Sequence, residues 1–224
     1  MRWKLISSST PISQGQMAYD AEWFGKYQEG DEPILRFFLF PQATLTLGRI
    51  EAKRIDLKSL PFPYEIRPTG GRAVLHGKND LCYAVAASVR DPLVGGSLLE
   101  TYRKISRLLE TGINVLGRSV ELTFERHKGS QGPHCFSAPS FGELMMNGKK
   151  VAGGAQARRG QVFLQQGVIL LSVDAGWKKL VPPGVESPMT GLNEDGNLPP
   201  VSAEQVEASI VETFKTAGVV FDKE

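Results

Sequence analysis

Residues 64–89 read "YEIRPTGGRAVLHGKNDLCYAVAASV", and the order of elements they imply decides the kind of fold this chain adopts. Short apolar runs alternate with turn residues. One strand ends at Arg67, the Gly70–Gly71 pair turns the chain, and a second strand reaches His76. A polar turn then covers Gly77 to Asp80, and a third strand runs on through Cys82.

Upstream of this block, "PILRFFLF" and "ATLTLG" predict two more short strands, separated by Pro41. An amphipathic helix over Ser13–Gly30 precedes them, with Met17, Trp23, Phe24 and Tyr27 as candidate core residues. Downstream, Ser97–Leu116 is the clearest helix. Its apolar residues recur every three or four positions, Ser97 and Glu100 form a capping box, and Gly117 closes the end. "VELTF" predicts a strand, and Asn147–Gly148 predicts a hairpin between Glu143–Met146 and Lys150–Gln156. "VFLQQGVILLSVD" predicts another strand, and residues 181–200, rich in proline and glycine, a surface excursion. Ser202 with Gln205 caps a last helix carrying Val206, Ile210, Val211 and Phe214. With no repeat, low-complexity tract or linker in view, the expected fold class is α+β. We expect one domain over residues 1–224, a mixed or antiparallel sheet with packed helices, and no separate C-terminal accessory domain.

Composition narrows the function. The 224 residues are 41% apolar and 22% charged, as in ordinary globular chains, and the net charge of +2 is too small to argue for nucleic acid as a partner. No apolar run has the length of a membrane span, and the N-terminus lacks a signal-peptide core, so a cytoplasmic location with no membrane partner is expected. Two cysteines make no disulfide framework. Cys82 sits in an apolar run and reads as a small core residue, whereas Cys135 sits in "HKGSQGPHCFSAPSFG", which has no apolar period.

Three features stand apart from the scaffold. Gly70–Gly71 is a plain turn or a place where a ligand meets free amides, with Arg72 and His76 as flanking polar groups. "NGKKVAGGAQ" passes from lysine into small residues that leave room for a narrow group against a strand; a solvated hairpin with a glycine bulge is the plain alternative, and it suits Lys149. Cys135, in a loop rich in glycine and proline, is a candidate nucleophile.

Together, "RPTGGRAVLHGKNDLCYAV" and "CFSAPSFGELMMNGKKVAGGAQARRGQVFLQQGVIL" resemble the biotin/lipoate protein ligase superfamily. Within it the likeness is to the cysteine-dependent octanoyltransferases of lipoate biosynthesis, and it extends from Gly15 to Asp174. The resemblance implies a class II synthetase-like catalytic domain. It makes Cys135 the acyl-accepting nucleophile and Lys150 the lysine at the acyl carbonyl. It assigns Arg67, Gly70, Gly71, Arg72 and His76 to the acyl pocket, with Gly153, Ala155 and Gln156 in the pocket wall. His76 is left between relaying a proton and bracing the loop. Pro68, where a second arginine is frequent, and Glu51, where a glutamine often stands, depart from the common pattern.

The implied reaction takes octanoyl acyl carrier protein as donor. The acceptor is a lysine of a lipoyl-type domain, such as the glycine cleavage H protein or a dehydrogenase E2 subunit. No cofactor or metal is expected, and a basic rim of Arg67, Arg72, Lys78, Lys149, Arg158 and Arg159 is expected to meet acidic carriers. An amidotransferase between lipoyl domains, an ATP-dependent lipoate ligase and a silent binder of lipoyl domains are the rival readings.

Overall fold

Ser97 accepts from the Glu100 amide and Glu100 reaches back to the Ser97 amide, so the expected capping box starts α2, Leu98–Val115. A second box, Ser202 with Gln205, starts α3, Ala203–Thr216. The two helices pack where Gly112 meets Ile210; a Cβ on Gly112 would lie 2.9 Å from the Ile210 Cα. The computed structural model describes residues 1–123, 142–179 and 187–222. Cys135 and His134 therefore lie outside the described residues, as does the start of the 181–200 excursion.

The strands are β1 Arg2–Ile6, β2 Ile34–Phe38, β3 Thr44–Gly48, β4 Tyr64–Arg67, β5 Val74–His76 and β6 Leu81–Ser88. They continue with β7 Glu121–Leu122, β8 Leu144–Met146, β9 Lys149–Arg159, β10 Val162–Ile169 and β11 Val220–Phe221. Among the described residues they form an eight-stranded sheet of order β11-β1-β2-β6-β10-β9-β8-β7 and a three-stranded sheet of order β4-β3-β5. The large sheet is mixed, as expected. Its β1 runs parallel to both β2 and β11, and the other pairings are antiparallel. The hairpin turns at Asn147 (φ 52°) and Gly148 (φ 73°), as the Asn-Gly pair predicts.

Two features differ from the sequence reading. The first helix, α1, is shorter, Gln16–Lys26; Gly15 precedes it without a side chain to cap it, and the Glu65 carboxylate of β4 accepts the Met17 amide at 2.7 Å instead. The second sheet was also not expected, because β3 pairs β4 in parallel across two 3₁₀ turns at Glu51–Lys53 and Leu57–Ser59.

The large sheet separates two apolar clusters. On one face α2 and α3 cover Leu35, Phe37, Tyr83, Val85, Phe163 and Ile169. On the other, Phe38, Cys82, Ala84, Leu164 and Val168 meet Met17 and Phe24 of α1 and Val74 of the small sheet. This second face carries the site.

Candidate active site

Antiparallel register builds the floor of a trough in rows, because opposed residues share a face. One row is Phe38, Cys82, Val168 and Gly153, read across β2, β6, β10 and β9. The next row on that face is Arg36, Ala84, Gln166 and Ala155. Met17, Thr46, Val74 and His76 roof these rows from α1 and the small sheet, enclosing about 430 Å³ of empty space with its mouth included. Lys150 and Arg67 line the same space.

Lys150 is 1% exposed, and its Nζ lies 2.5 Å from Oε1 of Glu143, itself 6% exposed. A buried ammonium needs such a partner, because an unpaired charge in an apolar site is costly. Gly153 makes room for it: a Cβ there would lie 2.6 Å from Lys150 Cε and 2.8 Å from Nζ. The backbone of Lys150 is held from the other side, donating to Pro188 O at 3.1 Å and accepting from Thr190 N at 2.9 Å. The start of the "GKKVAGG" run thus reads as a lysine folded back over its own strand, and Gly153 is the residue that permits this.

Arg67 is buried and braces the glycine loop. Nη1 donates to Thr46 O at 2.8 Å and to Thr46 Oγ1 at 2.5 Å; Nη2 donates to Gly70 O at 3.1 Å and Arg72 O at 2.7 Å. Gly71 has φ +94°, in the left-handed region, and a Cβ on it would lie 3.5 Å from the Cβ of Ala155. The loop therefore leans over the end of the trough. Gly48 permits the approach, since a Cβ there would lie 2.1 Å from Gly71 O. The Arg72 side chain is exposed. Burial pushes the Glu51 carboxyl up, while Arg67, Arg72 and the Ala73 amide pull it down.

His76 is buried, with Nε2 2.7 Å from Thr46 Oγ1 and Nδ1 3.2 Å from Cys82 Sγ. Thr46 Oγ1 already accepts from Arg67, so its proton is best used on Nε2, which leaves Nδ1–H to the weak sulfur acceptor. Burial, reinforced by Arg67, pushes the imidazole pKa down to about 3. A neutral ring with both nitrogens engaged braces the wall between the sheets. Cys82 is the buried core residue its sequence predicts, and burial pushes its thiol well up.

Some expected residues fall elsewhere. Gln156 turns to the α2 face, donating to Thr101 Oγ1 at 2.9 Å and Gln165 Oε1 at 3.1 Å, because strand alternation sends it opposite to Ala155. Arg158 and Arg159 sit at the far end of β9 from Lys150 and donate to backbone carbonyls of Gly96, Phe24 and Tyr27. With Arg67 also buried, only Arg72, Lys78 and Lys149 of the expected basic rim are exposed near this end of the sheet.

Sequence reasoning missed the polar groups of the second row. Asp20 of α1, 0% exposed, accepts from Arg36 Nη1, from Trp23 Nε1 at 3.2 Å and from Gln166 Nε2 at 2.5 Å. Gln166 Oε1 accepts from Thr69 Oγ1 at 2.9 Å, and Arg36 also donates to Gln16. Burial pushes the Asp20 carboxyl up against the opposing pull of Arg36. The signal was present: Asp20 lies three residues after Met17 and four before Phe24, on the apolar face of its helix.

Comparison with known proteins finds relatives in sequence and in fold. A family model described as the lipoyl protein ligase A/B catalytic domain matches residues 14–215. Octanoyltransferase LipM of Carboxydothermus hydrogenoformans is 38% identical over 178 residues, an alignment covering 77% of this chain and 66% of that protein. Octanoyltransferase LipM of Kyrpidia tusciae is 32% identical over 96% of this chain and 86% of its own length. A T. acidophilum structure described as a lipoate protein ligase with bound lipoic acid superimposes with a TM-score of 0.77 at 22% identity, covering 100% of this chain and 89% of that one.

Proposed function

Because the chain belongs to the family of lipoyl protein ligase A/B catalytic domains, we propose that it is an octanoyltransferase of lipoate biosynthesis. One observation carries the reading from the site itself: a narrow, mostly apolar trough has a buried ammonium, Lys150, on its lining. An alkyl chain fills such a trough, and the ammonium answers a carbonyl at its head.

The donor is an octanoyl thioester on an acyl carrier protein. The Cys135 thiolate attacks the carbonyl carbon, the carrier thiol leaves with the displaced electron pair, and a new thioester forms at position 135. A lysine amine of a lipoyl-type acceptor domain then attacks that thioester; an amide forms and the cysteine thiol is released. The first exchange replaces one thioester by another, while the second ends in a more stable amide. Thiolate serves both steps, as nucleophile and as leaving group. Each step passes through an oxyanion. Lys150, paired with Glu143 and lining the trough, brings a positive charge to the place where that oxygen forms. Arg67, Gly70, Gly71 and Arg72 hold the loop over the chain, His76 braces the roof, and Gly153 and Ala155 keep the wall thin.

The test is intact-mass analysis after mixing the chain with octanoyl carrier protein in the absence of ATP. The wild type is expected to gain one octanoyl group that hydroxylamine removes, and Cys135→Ser to gain none. An adduct that requires ATP, or one that persists in Cys135→Ser, would sink the proposal.

A further inference from the structure

Three rows of residues cross the trough face of the sheet, and the middle one is unlike its neighbours. The row nearest the ammonium, with Val168 and Gly153, is apolar; the third, with Ile34, Ala86, Leu164 and Ala157, is apolar again. Between them Arg36 and Gln166 are polar and buried, 1% and 3% exposed. A floor of hydrocarbon would run on without them.

The Lys150 ammonium belongs to the Gly153 row, and the Gln166 row lies two residues further along the strands, about 7 Å away. Gln166 is held at both ends of its amide, to Asp20 on α1 and to Thr69 at the root of the glycine loop. Displacing it would cost Asp20 Oδ2 and the Thr69 hydroxyl, both buried, one hydrogen bond each. The wall is therefore stiff, and it joins floor to roof.

We propose that Gln166, clamped between Asp20 and Thr69, closes the far end of the trough and sets the length of acyl chain the protein accepts. This rests on the acyl-transfer reading above. A chain that stops short of the amide buries all its methylenes. A longer one must push into a satisfied polar row or fold back towards the mouth. Gln166 in this role is a specificity residue that makes no contact with the reacting carbonyl.

The test separates trough length from catalysis. Calorimetric binding of free hexanoate, octanoate, decanoate and dodecanoate to the wild type, Gln166→Ala and Thr69→Val measures the first. Intact-mass acylation from carriers loaded with the same chains measures the second. Each methylene given room to bury strengthens binding roughly fourfold. Gln166→Ala is therefore expected to move the preference two carbons longer, raising the ratio for the longer chain about 15-fold. Thr69→Val removes one hydroxyl and leaves the amide in place, and is expected to shift the ratio the same way by a smaller factor. A uniform loss at every chain length, with ratios unchanged, overturns the proposal and leaves Gln166 as a strut alone. Should Gln166→Ala fail to fold, unchanged ratios in Thr69→Val overturn it equally. A wild type that ranks the free acids by length yet takes no acyl group from any carrier sinks the transfer reading and leaves the wall standing.

Discussion

The two faces of the large sheet share one backbone and differ in almost everything they carry. Against α2 and α3 the strands present Leu35, Phe37, Tyr83, Val85, Phe163 and Ile169, an apolar surface closed by Phe214 and Trp3 in edge-on contact at 5.4 Å. Against α1 and the small sheet they present Gly153, Ala155, Gln166 and Arg36, which meet a neutral histidine of the small sheet and the Asp20 carboxylate of α1. Alternation along a strand makes this possible, since neighbouring residues answer to different surroundings. The helix-covered face supplies packing, and the trough face is thereby free to hold groups that stability alone would not select.

Substitution can break that contrast, and the largest effect is expected at the ion pair. Asp20→Asn removes the counter-charge of Arg36, both fully buried, and is expected to cost about 3–5 kcal/mol in urea unfolding. Replacing the pair together, as Asp20→Leu with Arg36→Met, is expected to recover most of that loss. If the single change costs less than 1 kcal/mol, the two faces are not energetically distinct.

The histidine sharpens the contrast through pH. With a folded pKa near 3 against an ordinary 6.5, His76 takes up its proton more readily in the unfolded chain. Stability is therefore complete above about pH 6.5 and is lost as pH falls towards 3. At pH 5 that loss is about 2 kcal/mol, from 1.5 units at about 1.36 kcal/mol each. His76→Gln is expected to flatten this slope, and urea midpoints at pH 7.5 and 5.0 compare the two. An unchanged slope would mean the ring titrates freely. The smallest effect is expected on the helix-covered face. Ile105→Val there removes one buried methylene, costing about 1 kcal/mol, with no change in acyl-chain preference.

The elements were legible where local chemistry decides them. Ser97 with Glu100, Ser202 with Gln205 and Asn147–Gly148 each specify a boundary from a few adjacent residues, and all three stand as read. β1 and β11 were not read, because each is short and is made a strand by partners distant in sequence, β1 by β2 and β11, and β11 by β1. The second sheet was hidden for the same reason, since alternation announces a strand but not its neighbour. Within the site, Lys150 and Gly153 were legible as a lysine followed by small residues. Glu143 and Thr69 were not, because their roles come from contacts across 7 and 97 positions, and Asp20 was marked only by its place on the apolar face of α1. Gln156 was misplaced by the opposite fault: it lies beside true trough residues in sequence, and the strand turns it away.

The seclusion of Cys82 has a practical use. It has no exposed surface and its sulfur sits against the His76 ring. A thiol reagent added to the native chain therefore has a single remaining target, at position 135, without any need to remove the other sulfur by mutation. Slow appearance of a second modification then times how often the core opens, so one mass spectrum reads both the reactivity of the chain and its breathing.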